Sequence, residues 1–113
     1  MNNNLITVII TVKNAENYLR EAIESIRQQG IDTEIIVVDD GSTDNTAKLA
    51  ESQGCIIVKH PSSKGQVAAK NTGIENASGK YIIFLDHDDL MKRNALKNLL
   101  KEFEKDNTLD VVQ

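Results

Sequence analysis

Cysteine, proline and tryptophan are nearly missing from this chain of 113 residues, which has one cysteine, one proline and no tryptophan. The single cysteine, Cys55, excludes an intramolecular disulfide and a zinc cluster held by cysteines. The single proline, Pro61, lies between a predicted strand and a predicted helix and interrupts neither. Because aromatic residues make up only 4% of the chain, the core has to be built from Ile, Leu, Val and Ala.

The chain also lacks a basic excess, since 13 Lys and Arg residues stand against 17 Asp and Glu residues. This balance argues against a protein that binds duplex nucleic acid, which needs cations to neutralise phosphates. No apolar run reaches the roughly 18 residues of a membrane-spanning helix, and the N-terminus has no signal-peptide pattern. We expect a cytoplasmic protein, whose full-length form can attach as a peripheral protein to the inner face of the membrane.

Two apolar patterns alternate along the chain. Nearly continuous runs of Ile, Val and Leu predict strands that are covered on both faces, at residues 5–12, 34–38, 55–58 and 81–85. Apolar residues at helical spacing predict helices after each strand, at residues 18–26, 43–53, about 62–79 and 96–103. We expect Ser62 or Ser63 to cap the third helix, and residues 110–113 to start a fifth strand.

This alternation predicts a three-layer α/β/α fold with a mostly parallel sheet and right-handed crossovers. The chain stops inside the fifth predicted strand, directly after the apolar pair Val111 and Val112. We therefore expect the N-terminal part of a longer protein. The alternative is that a short edge strand completes the sheet.

Polar residues follow each predicted strand at its carboxyl end, which is where open parallel sheets bind ligands. They are Lys13 and Asn14, then Asp39 to Ser42, then Lys59 and His60, and finally Asp86 to Asp89. Five carboxylates and Thr11 are thereby expected at one edge of the sheet. Like charges at close range are costly without a cation, and Mg²⁺ and Mn²⁺ prefer oxygen ligands. The pattern predicts bound Mn²⁺ or Mg²⁺ at this edge.

Asp86 and Asp88 are the candidate metal ligands. Alternate residues project to the same side where strand geometry continues, so both carboxylates can face one ion. The alternative is that Asp88 or Asp89 caps the following helix.

The Asp39-Asp40-Gly41-Ser42 segment is expected to combine binding with a structural turn. Asp39, as the last strand residue, is expected to accept a hydrogen bond from a base or a ribose. Asp40 is assigned a structural role. Gly41 supplies a special backbone conformation, and Ser42 or Thr43 caps the next helix.

Other phosphate-binding motifs are missing from the sequence. No Gly-x-Gly-x-x-Gly follows the first strand, and there is no Gly-Lys-Ser/Thr loop, so dinucleotide and P-loop sites are not expected. Lys64 and Lys70, around the start of the third helix, are the nearest cations that can meet a phosphate. His60, which precedes Pro61, is expected in a surface loop.

Five ordered blocks together resemble the inverting nucleotide-sugar glycosyltransferases of family 2, which have the GT-A fold. The blocks are residues 11–14, 37–44, 64–73, 78–82 and 84–89, so the resemblance covers nearly the whole chain. It implies a Rossmann-like GT-A nucleotide-binding topology that is truncated here. Residues 1–113 would be the half that binds the nucleotide-sugar, and the half that binds the acceptor would be absent.

The resemblance also implies roles for single residues. The nucleotide-binding residues would be Thr11, Asn14, Asp39, Lys70 and Asp86, with Thr11 and Asp39 on the nucleobase, commonly uracil. Asp88 would be the direct metal ligand, with Asp86 beside the ribose and the metal. The metal, Mn²⁺ or Mg²⁺, would act as a Lewis acid on the leaving nucleoside diphosphate.

The sequence departs from the family pattern in length and at three residues, of which Arg93, in place of a frequent Pro at the start of the fourth helix, is the minor one. Thr11 stands where the family often has Pro, and Lys13 where it often has Tyr. The family's general base comes from the second half of the domain, beyond Gln113, so no catalytic residue is assigned. We expect the 113-residue chain to bind nucleotide weakly, to transfer little sugar and to self-associate; the acceptor would be an unidentified saccharide or lipid-linked molecule.

Two other functions stay open at this point. Residues 82–88 also resemble the strand and Asp-x-Asp motif of haloacid-dehalogenase-type phosphatases, although that motif follows the first strand there and the fourth predicted strand here. The chain could alternatively be a non-catalytic nucleotide-binding or assembly module that pairs through an exposed sheet edge.

Overall fold

The structure, a computed structural model, describes residues 6–86, 89–105 and 111–112, and strands and helices alternate through them. The five strands there are β1 (Ile6–Val12), β2 (Thr33–Asp40), β3 (Ile56–His60), β4 (Tyr81–Asp86) and β5 (Val111–Val112). The four helices there are α1 (Leu19–Arg27), α2 (Thr46–Ser52), α3 (Gln66–Asn76) and α4 (Ala95–Lys105). The predicted order of elements is confirmed.

The strands form one sheet in the order β3-β2-β1-β4-β5, and every pair of neighbours is parallel. Parallel neighbours cannot be joined by a tight turn, so each connection crosses over through a helix. β1 lies at the centre and is buried along its whole length. This explains why its sequence is apolar nearly throughout instead of alternating.

Helices cover both faces of the sheet, which confirms the three-layer α/β/α prediction. On one face, Ile6, Val8 and Ile10 of β1 pack in the larger core with residues of α1, α2 and α4. On the other face, Ile9 packs under α3 with Ala69. The side chains of β1 therefore alternate between two cores.

Three strands extend further than their sequences predict. β2 runs to Asp40, beyond the apolar run at 34–38 and beyond Asp39, its expected last residue. β3 ends at His60 instead of residue 58, and β4 ends at Asp86 instead of residue 85. The added residues of β2 and β3 pair in register, Asp39 with Lys59 and Asp40 with His60. The prediction of His60 in a surface loop is wrong: the residue is only 8% exposed, because its ring is hydrogen-bonded to the buried Asp40.

The start of α3 also differs from the prediction. Its N-cap is Gly65, with a φ of 95° and no side-chain cap. Ser63 does not cap the helix because its hydroxyl donates to Oδ2 of Asp40. No helix in the described part of the chain is long and apolar enough to cross a membrane.

A buried carboxylate stabilises the opposite, amino-terminal edge of the sheet. Glu34 accepts hydrogen bonds from the hydroxyl of Thr7 at 2.9 Å and from the hydroxyl and backbone N–H of Ser78 at 2.6 and 2.8 Å. These bonds join β1, β2 and the turn before β4. They lie far from the carboxyl ends of the strands.

Candidate functional site

Three polar residues at the carboxyl ends of neighbouring strands, Thr11, Asp40 and Asp86, project from the face of the sheet that α3 covers. Strand side chains alternate between faces, and the residues two positions earlier lie in or against the core under α3: Ile9, Val38 and Phe84. Thr11 and Asp86 are also register partners of β1 and β4. The topology thus brings these three side chains to one place.

They line an open cavity of about 470 Å³ at this edge of the sheet. The full lining is Thr11, Val12, Lys13, Asp40, Ser63, Gly65, Gln66 and Asp86. The cavity thus contains two of the five predicted nucleotide-binding residues, Thr11 and Asp86.

Asp39 lies on the opposite face of the sheet. It lines a separate cavity of about 350 Å³, together with Asp44 and Lys59. Its Oδ1 accepts a hydrogen bond from the backbone N–H of Ser42 at 2.9 Å. The resemblance implied that Thr11 and Asp39 hold the same nucleobase. In the structure the two residues instead line different cavities.

Asp40 is the one carboxylate of this cavity that was not predicted as a site residue from the sequence. The strand alternation could have indicated it. Ile36 and Val38 pack on one face of β2, and Asp40 continues that row; Ile35 and Val37 pack on the other face, and Asp39 continues that row. Thr11 pairs with Val38 in β1–β2 register, so the next side chain on that face is Asp40.

The Asp40 carboxylate accepts four hydrogen bonds. Oδ1 accepts from the ring Nδ1 of His60 and the backbone N–H of Lys64, each at 2.8 Å. Oδ2 accepts from the Ser63 hydroxyl at 2.8 Å and the Gly65 N–H at 3.1 Å. Burial alone would raise the pKa of Asp40, but these four bonds outweigh it and hold the pKa well below its usual range.

The start of α3 supplies the remaining polar groups near the cavity. The Thr11 hydroxyl donates to Oε1 of Gln66 at 3.1 Å. Lys70 lies one turn further along α3, and its Nζ is 5.3 Å from the centroid of the Phe84 ring. The strand of Phe84 ends at Asp86, so Lys70 places a positive charge on the face of the sheet from which Asp86 projects.

Asn14 connects two loops in the structure. Its backbone is left-handed, with a φ of 54°, its N–H donates to the Ser42 hydroxyl at 2.8 Å, and its Oδ1 accepts from the Thr43 N–H at 2.8 Å. The prediction that Ser42 or Thr43 caps α2 is therefore wrong, because both residues bind Asn14. The N-cap of α2 is Asn45.

A second set of bonds reinforces this connection. Asp44 accepts from the N–H and the hydroxyl of Thr46, and the same hydroxyl accepts from the Ala15 N–H at 2.9 Å. Burial raises the pKa of Asp44, but the hydrogen bonds from the hydroxyl and N–H of Thr46 and from the N–H of Glu16 outweigh it and lower the pKa. The loops after β1 and β2 are thus fixed to each other beside the cavity.

The expected metal ligands are only partly visible. Asp86 is exposed at the end of β4, and Asp88 lies outside the described residues. Within the part of the chain that the structure describes, no group of three His, Cys, Asp or Glu residues could hold a metal. Mg²⁺ and Mn²⁺ commonly use only one or two protein carboxylates plus substrate phosphates, so the exposed Asp86 fits such an ion.

Glycosyl transferase family 2 matches residues 7–113, which is nearly the whole chain. The chain belongs to this family. One relative is an uncharacterised glycosyltransferase of Rickettsia conorii, which is 41% identical over 111 residues; the match covers 18% of that protein. Another is the glycosyltransferase GlyG of Streptococcus pneumoniae, which is 39% identical over 114 residues; the match covers 38% of that protein. Aligned regions span 95% and 96% of this chain, which spans well under half of either relative.

Solved structures show the same fold. Residues 1–349 of Staphylococcus aureus TarS superpose with a TM-score of 0.84 and 25% identity, over 90% of this chain and 33% of that one. The mannosyltransferase PcManGT of Pyrobaculum calidifontis superposes with a TM-score of 0.79 and 28% identity, over 88% and 32%. The GT-A fold expected from the resemblance is confirmed. The family assignment gives no support to the phosphatase hypothesis, and here the motif follows β4, not β1.

Proposed function

We propose that this family 2 protein transfers a sugar from a nucleoside diphosphate donor, and that residues 1–113 form the part that binds this donor. The observation that carries the proposal is the convergence of Thr11, Asp40 and Asp86 on one cavity at the carboxyl end of the sheet. This is the position at which open parallel sheets bind nucleotides. Transfer with inversion would use a general base and an acceptor site contributed by chain beyond residue 113.

The donor we propose is a UDP-sugar. The TarS structure in complex with UDP superposes with a TM-score of 0.83 and 25% identity, while the PcManGT structure contains GDP-Man. Both nucleotides share the diphosphate, which needs positive charge at the site. A nucleotide in the cavity would meet the hydroxyl of Thr11 and the charge of Lys70.

We further propose that Mn²⁺ or Mg²⁺ bound by Asp86 and Asp88 completes the site. The chain has a net charge of −4, and an anionic diphosphate beside Asp86 is repelled unless a cation lies between them. PcManGT contains Mn²⁺ with GDP-Man. When bound, such an ion would neutralise the charge that develops on the leaving diphosphate.

The two remaining residues of the original site prediction keep a nucleotide role only through the family resemblance. Asp39 opens into the neighbouring cavity, and Asn14 is bonded to the loop after β2. A ligand that extends from the 470 Å³ cavity across the edge of the sheet would reach Asp39 and Asn14.

The test is calorimetric titration of UDP and of GDP into the protein, with and without Mn²⁺. We expect metal-dependent UDP binding that weakens at least about tenfold in Asp86→Asn and Asp88→Asn, because each removes a carboxylate from the ion. Asp32→Asn, which removes an exposed carboxylate just before β2 at the opposite edge, is the control of equal charge and should bind UDP normally. Equal binding by all four proteins, or binding that ignores Mn²⁺, would refute the proposed site.

A further inference from the structure

His60 stands beside the candidate site without lining it. It is the last residue of β3, at the edge of the sheet, and pairs in register with Asp40. Its side chain is buried, and both ring nitrogens have partners. Nδ1 lies 2.8 Å from Oδ1 of Asp40, and Nε2 lies 2.8 Å from the hydroxyl oxygen of Thr72 on α3.

The chemistry of the partners fixes the proton on Nδ1. The pKa of Asp40 is held well below its usual range, since the hydrogen bonds it accepts outweigh the effect of burial. At neutral pH it is therefore ionised and can only accept hydrogen bonds. Nδ1 of His60 must then carry a proton and donate a hydrogen bond to Oδ1 of Asp40. In the neutral ring Nε2 accepts from the Thr72 hydroxyl, so both nitrogens are satisfied.

Asp40 in turn holds three consecutive residues of the loop between β3 and α3. It accepts from the Ser63 hydroxyl and from the backbone N–H groups of Lys64 and Gly65. Ser63 and Gly65 line the 470 Å³ cavity, so this loop segment, residues 63–65, is one of its walls.

The wall is also fitted closely to the turn after β2. A Cβ added at Gly41 would lie 2.6 Å from the backbone nitrogen of Ser63, nearer than carbon and nitrogen atoms can approach. The wall therefore has little room to move toward β2 while Asp40 keeps its bonds.

The acceptor capacity of Asp40 is filled by these contacts. A carboxylate offers about four lone-pair positions, and Asp40 accepts two hydrogen bonds on each oxygen. A nucleotide in the cavity can therefore bond to Asp40 only by displacing His60 or part of the wall. Asp40 therefore holds the loop segment 63–65 in place, and His60 orients the Asp40 carboxylate.

We propose that His60 is a positioning residue of the donor site, which acts through Asp40 to hold the wall formed by residues 63–65. The inference rests on the proposed function for its effect on nucleotide binding, but its effect on the wall is independent of that function. Thr72 supports the outer side of the ring. A purely structural histidine would contribute to stability alone and would leave wall and affinity unchanged in the folded protein.

Two variants distinguish the hydrogen bond of the His60 ring to Asp40 from its hydrogen bond to Thr72. Asn at position 60 branches at the same atom as the imidazole and keeps an N–H donor near the place of Nδ1, so His60→Asn retains the bond to Asp40. Gln carries its amide one bond further out, near the place of Nε2, so His60→Gln retains only the side toward Thr72. Ser78→Ala, which removes a hydrogen bond to the buried Glu34 at the other edge of the sheet, is the control for general destabilisation.

The experiment combines amide hydrogen exchange of Lys64 and Gly65 with calorimetric titration of UDP and Mn²⁺, below the unfolding transition of each variant. We expect His60→Gln to lower the protection of both amides and to weaken UDP binding by about tenfold or more, which is the loss of one charge-assisted hydrogen bond. His60→Asn should change either quantity by less than about threefold, and Ser78→Ala should change neither.

The outcomes are distinguishable. If His60→Gln and His60→Asn lose equal stability while protection and affinity stay as in the unmodified protein, the positioning role is refuted. If the unmodified protein binds no nucleotide, the proposed function fails, and amide protection alone still decides the role of His60. If His60→Gln does not fold, His60→Leu replaces it, since Leu branches at the same atom as Asn but has no donor for Asp40; amide protection equal to that of His60→Asn would refute the proposal.

Discussion

Gly73 of α3 lies directly against Ile9 of the central strand. A Cβ added at Gly73 would lie 2.5 Å from Cγ2 and 3.0 Å from Cδ1 of Ile9. Gly73→Ala should therefore push α3 away from the sheet and lower the free energy of unfolding by about 1–3 kcal/mol, as overpacking does. Urea denaturation measures this change. Because α3 carries Gln66 and Lys70, UDP binding should weaken as well.

A double-mutant cycle with Ile9→Ala identifies the cause. Each single variant should be destabilised, but in the double variant the small side chain at position 9 makes room for the methyl group. The double variant should thus be more stable than the sum of the two single effects predicts, by about 1 kcal/mol. Additive losses would mean that Gly73 matters for another reason, such as the flexibility of α3.

The low pKa of Asp40 predicts a loss of stability in acid. The folded pKa lies below the unfolded value of about 3.9, because the hydrogen bonds to Asp40 outweigh the effect of burial. The contribution of Asp40 is thus complete at neutral pH and declines as the pH falls below about 4, where the unfolded chain takes up a proton first. Asp44, whose pKa is also lowered, should add to the decline.

Asp40→Asn isolates the part that belongs to Asp40. The side-chain NH₂ of Asn would face the hydrogen-bond donors of residues 63–65, which need an acceptor there. We therefore expect the free energy of unfolding of this variant to fall by about 2 kcal/mol at pH 7. Urea midpoints at pH 7, 4 and 3 should then fall less steeply with acid than those of the unmodified protein. If its acid dependence matches that of Asp32→Asn, the linkage attributed to Asp40 is wrong.

Asn14 offers a test that separates structure from ligand binding. Its φ is 54°, and its Oδ1 accepts from the Thr43 N–H. Asn14→Gly loses the side chain but allows the left-handed backbone, whereas Asn14→Ala loses the side chain and disfavours that backbone. The Asn14→Ala variant should therefore be less stable than Asn14→Gly by about 1 kcal/mol. If Asn14→Gly stays nearly as stable as the unmodified protein but loses UDP affinity, Asn14 contacts the nucleotide as the family resemblance implies.

Lys70 is predicted to contribute charge. In Lys70→Met the alkyl part of the side chain remains while the ammonium group near the Phe84 ring is lost, which should change stability by only about 0.5–1 kcal/mol. UDP binding should weaken more, and it should depend less on salt, because screening acts on the missing charge. Titrations at low and high NaCl measure both effects. An unchanged salt dependence would place Lys70 outside the reach of the diphosphate.

The arrangement of the sheet was predictable because its strands carry a strong signal. The runs at residues 5–12 and 81–85 are apolar almost throughout, which is what burial on both faces requires. The ends of β2 and β3 were harder to predict. Asp39, Asp40, Lys59 and His60 are polar residues that nevertheless continue the ladder, and their partners lie on other elements.

The sequence-based prediction placed the candidate site at the carboxyl ends of the strands and chose Asp39 over Asp40, whereas the cavity beside Thr11 and Asp86 is lined by Asp40. Asp39 and Asp40 are adjacent in sequence and face opposite cavities, so the choice between them depends on strand parity and register. The hydrogen bonds of Asp40 to residues 63–65 could not be predicted, because nothing in the local sequence states where an irregular loop will pack. The glycine at the start of α3 was missed for the same reason: Ser63, the expected cap, is engaged by Asp40 instead.

The parallel pairing of β1 with β2 and β4 has a consequence for how the protein reaches its folded state. None of these pairs can form from a local hairpin, so each needs a long loop to close first, which slows folding relative to helical bundles. Thr11 and Asp86 meet only after β1 has found β4. The cavity therefore forms no earlier than this pairing, so we expect a nucleotide added during refolding to bind chains whose sheet has assembled and to leave the rate of strand pairing unchanged.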